Sequence, residues 1–285
     1  GDVIVRVDGE SAAAKRARLA PYIPHSTPQS LDALVARGIL SGTAGTARVT
    51  VQDSRGRLRE LTVPRSAEMM KYLEFPRSGP ALRLLPGNIG YADLSLLTVP
   101  MVDSMFTLFK QTTAIIFDDR GYPQGTGWAI ASRLTARHDV AAARFDRRLV
   151  ISPDSTSWST TSFVQYLPTT TKPRYLGKTV VLVDERSLSQ AEHTVLFLEA
   201  ANHTRIIGSP TMGANGDVTN VVLPGGVMVY FTGQSVRHAD GRVLQRTGIH
   251  PDITVRPTLK GIRAGRDEVL DRAIRYLRST AAVKQ

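Results

Sequence analysis

The chain contains no cysteine, which excludes a thiol nucleophile, a thiolate metal site and a disulfide framework. No apolar run approaches the length needed to cross a bilayer, so no membrane span is expected. No histidine pair has a metal-ligand spacing such as H-x-x-x-H beside a carboxylate, so neither a metal nor another cofactor is expected. Low-complexity tracts and repeats of solenoid period are missing too. The net charge is +11, yet the basic residues are dispersed without a long Lys/Arg block. That pattern suits a solvated surface better than a nucleic-acid footprint, so no nucleic-acid partner is expected. What is present, 285 residues of which 42% are hydrophobic, suffices for one large core or for a core with a small satellite.

Patterning divides the chain in two. VIVRVDG at 3–9 and ARVTVQDSRGRLRELTV at 47–63 alternate apolar and polar residues around tight turns, as antiparallel strands with one wet face do. Between them LDALVARGIL reads as a short amphipathic helix closed by glycine. Residues 1–66 therefore read as a small strand-rich module. Its opening, GDVIVRVDGE, has the look of a strand and turn in mid-domain, so the chain is expected to be a piece of a longer protein, and what precedes it is open. Pro and charge content mark 67–86 as a linker.

From 87 to 285 strands and helices alternate. NIGYADLS, TAIIFD, VVLVD and TRIIG read as strands; the segment from Val99 to Lys110, GTGWAIASRL and QAEHTVLFLEAA read as helices. VMVYFTGQSVRHADGRVL reads as a hairpin and DEVLDRAIRYL as a closing amphipathic helix. Such alternation predicts an α/β core with right-handed crossovers.

One short segment carries chemistry. SLSQAEHT at 187–194 follows the strand KTVVLV, with Asp184, Glu185 and Arg186 as the turn. Ser187 with Gln190 three positions on has the form of a capping box, which puts Ser189 in the first helical turn. There, unpaired backbone N–H groups and the positive end of the helix dipole favour an alkoxide or oxyanion. Ser189 is the candidate nucleophile. Serines near helix starts are most often caps, so on position alone the cap reading prevails and the rest of the chain must move it.

Taken together, GDVIVRVDGE with GTARVTV, NIGYADLS, IIFDDRGYPQGTG, VVLVDERSLSQAEHT, IIGSPTMGANGDV and GRVLQRTGIHPDITV resemble, in order and spacing, the S41 serine peptidases. These are the tail-specific or C-terminal processing proteases. The resemblance covers nearly the whole chain. It implies a crotonase/Clp-like α/β core preceded by a partial PDZ-like, β-rich domain, a polypeptide substrate and an extracytoplasmic location; it leaves oligomeric state open. It also implies that the serine three residues before the helix glutamate is the nucleophile. Counting back from Glu192 gives Ser189 again.

The departures matter as much. The lysine of the Ser-Lys branch aligns with Ala214, which cannot accept a proton. The resemblance to the tricorn-like branch implies a histidine base from a region upstream of this chain, and near that branch's glutamate stand Gln245, Arg246 and Thr247. His193, one turn after Ser189, is the alternative base within the chain; packing in the core or contact with solvent is the favoured reading, since i,i+4 pairs on helices are common and rarely catalytic. For the oxyanion, the Gln190 N–H is the expected first donor. The family's second donor aligns with Pro123, which has no N–H, leaving Tyr122 or Gln124 to substitute. Asp118 and Arg120 either orient that turn or form a surface ion pair. The expected activity is that of a serine endopeptidase working through a Ser189 acyl-enzyme. A catalytically impaired peptide-binding homologue is the alternative, and an acyl-CoA enzyme on the same fold is weaker, since fold does not fix chemistry.

Overall fold

In the computed structural model, residues 1–65, 79–150 and 157–282 are described. The N-terminal module holds β1 (Val3–Val7), β2 (Glu10–Ser11), α1 (Ala12–Leu19), α2 (Pro28–Arg37), β3 (Gly45–Gln52) and β4 (Leu58–Arg65), with its antiparallel sheet in the order β2-β1-β3-β4. Alternation along the strands buries Val7, Ala47, Val49 and Val51 as a core of its own. Helix α1, unforeseen from sequence, starts where the Ser11 hydroxyl accepts the Ala14 N–H at 3.1 Å. Helix α2 starts at a reciprocal cap between Thr27 and Ser30 and ends at Gly38.

Most of the expected linker lies outside the described residues, and by Leu82 the chain has already entered the main sheet. That sheet runs β15-β11-β10-β7-β6-β5, built from β5 (Leu82–Leu85), β6 (Ile89–Asp93), β7 (Ala114–Asp118), β10 (Lys178–Val183), β11 (Arg205–Gly208) and β15 (Ile253–Thr254). Only the β5–β6 pairing is antiparallel. Every residue of β6 and β7 is buried, as expected of strands covered on both faces. Ile115, Phe117, Val181 and Val183 face a layer containing α3 (Val102–Leu108), α4 (Gly127–Ala131) and α5 (Gln190–Asn202). Ala114, Ile116, Val180 and Leu182 face α7 (Glu268–Ala282), through Val269, Ala273 and Leu277. A short α6 (Leu259–Arg263) precedes α7.

A three-stranded sheet of order β14-β8-β9, from β8 (Ala141–Val150), β9 (Trp158–Tyr166) and β14 (Ser235–His238), packs against α5. Here the expected hairpin at 227–244 is corrected. β13 (Val227–Thr232) pairs instead with the preceding β12 (Val218–Leu223), and the SVRH segment leaves to pair with β8. Pro224 and two left-handed glycines, Gly225 and Gly226, make the tight turn that joins β12 to β13. No helix among the described residues is long and apolar enough to cross a membrane.

Candidate active site

The carboxyl ends of β7 and β10 point to the same edge of the sheet, where open α/β sheets place their ligands. After β10, Asp184 to Leu188 turn the chain sharply. Ser187 does not form the expected capping box. Its fully buried hydroxyl donates to the Asp119 carbonyl at 2.8 Å and accepts the Asp184 N–H at 3.2 Å, tying the two post-strand turns together.

The helix therefore begins two residues later than the capping-box reading implies. Gln190 is the first helical residue and Ser189 is the N-cap, at φ 51° and ψ −115°, with its side chain making no capping bond. Positive φ at a residue with a side chain costs about 1–3 kcal/mol and persists only where its surroundings enforce it. Two bonds do so: the Ser189 N–H donates to the Ala214 carbonyl at 2.7 Å, and the Ser189 carbonyl accepts the His193 N–H at 2.9 Å. The sharp turn leaves the Ser189 side chain in a cleft rather than folded onto its own helix. Among the described residues the Gln190 N–H has no backbone acceptor.

Glu192 holds the opposite side of this turn. Its fully buried carboxylate accepts from the Thr211 hydroxyl, from the Gly213 N–H at 2.6 Å and from the Ala214 N–H at 3.0 Å. Burial pushes its pKa up to about 7 against the pull of these donors. Gly213 has φ 73°, and a Cβ there would come within 2.8 Å of both the Gly248 amide nitrogen and the Thr27 methyl, so only glycine fits. The N-terminal module reaches the same turn: Thr27 donates its hydroxyl to the Met212 carbonyl at 3.0 Å, and Gln29 its amide to the Thr211 carbonyl at 2.9 Å.

The turn after β7 is fixed by a buried network rather than a surface ion pair. Arg120 donates to both carboxylate oxygens of Asp118, at 2.9 and 2.6 Å, and to Asp267 at 2.8 and 2.6 Å. The Tyr91 hydroxyl also donates to Asp118, at 2.7 Å. Burial alone would lower the Arg120 pKa, but the two carboxylates outweigh it and raise it above its ordinary value. Beyond this anchor the Gln124 N–H is used by the Leu94 carbonyl at 3.3 Å, and the Tyr122 side chain is exposed outside the cleft. Gly125 lies against the start of α5, where a Cβ would stand 3.8 Å from the side-chain Nε2 of Gln190.

Ser189, Gln190 and His193 line one cleft of about 300 Å³. The His193 ring is packed among Trp128, Phe145 and Phe197, with centroids 5.4, 5.7 and 4.8 Å away, and its Nε2 meets Gln165 Oε1 at 2.7 Å. Burial lowers its pKa to about 4, so it is neutral at physiological pH. The remaining walls come from residues the sequence reading did not single out: Trp128, Phe145, Phe163, Gln165 and Asn215. Alternation in AAARFD and SFVQY marks the strands that carry three of them, but nothing in it tells which sheet they join. Gln245, near the expected glutamate position, reaches the site as a neutral clamp, donating to the Asn215 and Gln234 carbonyls and accepting the Val236 N–H at 3.1 Å. Arg246 donates its N–H to the Gly213 carbonyl at 2.9 Å, and the Thr247 hydroxyl turns back to Val243 and Leu244. His238 is a buried strand residue of β14 bonded to Glu199 at 2.8 Å. Among the described residues no His, Asp and Glu group has the arrangement of a metal site.

The model of the family described as peptidase family S41 matches residues 103–255, more than half of the chain. No curated protein matches in sequence. Among solved structures, mature CPAF complexed with lactacystin is similar over 95% of this chain and 76% of its own, at 16% identity and a TM-score of 0.74. A second structure of mature CPAF is similar over 92% and 73%, at 15% identity and a TM-score of 0.69. A protein of Parabacteroides merdae ATCC 43184 is similar over 93% and 88%, at 20% identity and a TM-score of 0.59.

Proposed function

Since the chain belongs to peptidase family S41 and is therefore a peptidase acting on polypeptides, we propose that it cleaves them as a serine endopeptidase through an acyl-enzyme on Ser189. The observation that carries this reading is the Ser189 backbone, held at φ 51° at the head of α5 with its hydroxyl not spent on a cap. In the first step Ser189 Oγ attacks the scissile carbonyl while a base takes its proton. The tetrahedral oxyanion meets the Gln190 N–H at the positive end of α5. Of the neighbouring turn's three candidate positions, Pro123 has no N–H and the Gln124 N–H is already bonded, so the second backbone donor is assigned to Tyr122. The base returns the proton to the leaving amine. Water then attacks the ester with the same base, releasing the carboxylate and restoring Ser189.

The base is assigned to a histidine outside residues 1–285. Ala214 has no titratable group, and Gln245 is neutral. His193, with its pKa at about 4 and its Nε2 on Gln165, is a weak acceptor at neutral pH and serves as a wall of the cleft. The small module before β5 is assigned as part of a PDZ-like domain, on its four-stranded antiparallel sheet with α1 and α2. Ala214 and Gln245 also favour a second reading, a peptide-binding member that has lost turnover. Burst kinetics with an activated ester and the intact protein separate the two: an acyl-enzyme burst lost in Ser189→Ala supports the peptidase, and its absence in the wild type supports the binder.

A further inference from the structure

The cleft beside Ser189 has a composition that selects among substrates. Phe145 and Phe163 stack at 4.6 Å with rings 3° from parallel, giving one flat wall. Trp128 flanks His193, and the His193–Gln165 pair lies between the two aromatic groups. Among the described residues no lysine or arginine lines the cleft, and the one charged lining residue, Asp217, is exposed and paired with Arg147 at 3.5 Å. Asn215 is 94% buried and lines the same cleft, and its Nδ2 has no hydrogen-bond partner. Its other polar atoms are used: Oδ1 accepts the Gly216 N–H at 2.7 Å, and the carbonyl accepts from Gln245. Asn215 directly follows Ala214, whose carbonyl holds Ser189, and Asn215 and Ser189 line the same cleft.

We propose that this cleft is the subsite for an aromatic side chain of the bound polypeptide, next to the scissile bond, and that Asn215 Nδ2 donates to an oxygen of that peptide. The proposal rests on Ser189 being the reacting residue. Aromatic walls reward an aromatic guest through offset and edge contacts beyond the area they cover. An acidic guest finds no cation among the described lining residues, with Arg147 already engaged by Asp217 and Gln234, whereas a small aliphatic one leaves the walls unfilled. A buried donor left without an acceptor costs free energy that a bound oxygen recovers. Burial keeps the His193 ring neutral and the Gln165 amide carries no charge, so the space between the aromatic groups is uncharged.

The test uses the intact protein and one peptide sequence varied only at the residue before the scissile bond, as Tyr, Phe, Leu, Ala, Glu or Lys. Aromatic peptides should exceed Ala and Glu peptides in kcat/KM by about tenfold or more. Phe163→Ala, whose ring is half exposed and whose loss the fold should tolerate, should erase that preference while a small fluorophosphonate still labels Ser189. Asn215→Ala should lower kcat/KM on all these peptides about tenfold, with a fall in melting temperature from losing the Oδ1 that accepts the Gly216 N–H and with fluorophosphonate labelling of Ser189 kept as the control for folding; a Phe-over-Tyr difference unchanged by this variant assigns the acceptor to the peptide backbone rather than to the tyrosine hydroxyl. A flat profile, a preference for Glu or Lys, or an aromatic preference that survives Phe163→Ala overturns the proposal. Should hydrolysis be absent altogether, the subsite is still read by equilibrium binding to Ser189→Ala. With Trp158→Phe in that background, Trp128 is the sole tryptophan, and its fluorescence should respond to the Tyr and Phe peptides but not to the Glu peptide. Equal responses overturn the proposal there.

Discussion

The backbone N–H of Ser189 donates to the carbonyl of Ala214 at 2.7 Å, joining the start of α5 to the glycine turn after β11. The position the resemblance associates with a lysine base is thus occupied by a methyl group whose main chain, not side chain, serves the nucleophile. Ala214→Ser should accordingly leave peptidase activity within about threefold, since it keeps both main-chain bonds. Ala214→Pro removes the N–H that Glu192 accepts at 3.0 Å and should abolish activity. Progress curves on one peptide check both.

Glu192 and His193 are adjacent, buried and shifted in opposite senses. Glu192 is raised from 4.5 to about 7, so folding takes up a proton there; its stabilisation is fully present below pH 4.5 and lost as pH rises through about 7. His193 is lowered from 6.5 to about 4, so folding excludes a proton; its stabilisation is present above pH 6.5 and lost as pH falls through about 4. Between the two ordinary values the slopes cancel. Glu192→Gln should unmask the histidine, so stability rises with pH across that window by about 1.4 kcal/mol per unit. His193→Gln should unmask the glutamate and give a slope of opposite sign. Urea unfolding at several pH values checks this, and parallel slopes in the two variants contradict it.

Arg120 neutralises two carboxylates, one of them fully buried. Arg120→Met leaves Asp118 without its cation and should destabilise the chain by about 3–5 kcal/mol. Arg120→Lys should recover only part of that loss, because one ammonium cannot reproduce four bonds in a planar fork. Denaturant midpoints with unchanged m-values check the ranking.

The sheet strands were legible because burial on both faces demands unbroken apolar runs, as in AIIF and TVVLV, and those runs are bounded by turn residues. The nucleophile was legible for a related reason: a buried strand followed at once by a helix start leaves few side chains at the sheet edge. Its cap was misread, because Ser187 and Gln190 have the residue types of a capping box while tertiary contact with Asp119 claims the Ser187 hydroxyl. The walls of the cleft were not legible. Phe145, Phe163 and Gln165 lie on a hairpin whose residues are largely exposed along β9, and only its docking on α5 gives three of its side chains a role. Asn215 gives no sign in sequence that one amide hydrogen-bond donor is left unpaired.

The central claim, that Ser189 forms a covalent bond with substrate, is tested most directly by mapping a fluorophosphonate adduct on the intact protein by peptide mass spectrometry, with Ser187 as the internal control. The adduct should sit on Ser189 alone, and Ser189→Ala should abolish both adduct and hydrolysis. Ser187→Ala should retain the adduct site while losing stability by about 1–3 kcal/mol. An adduct on Ser187 or elsewhere, with hydrolysis intact in Ser189→Ala, would contradict the account.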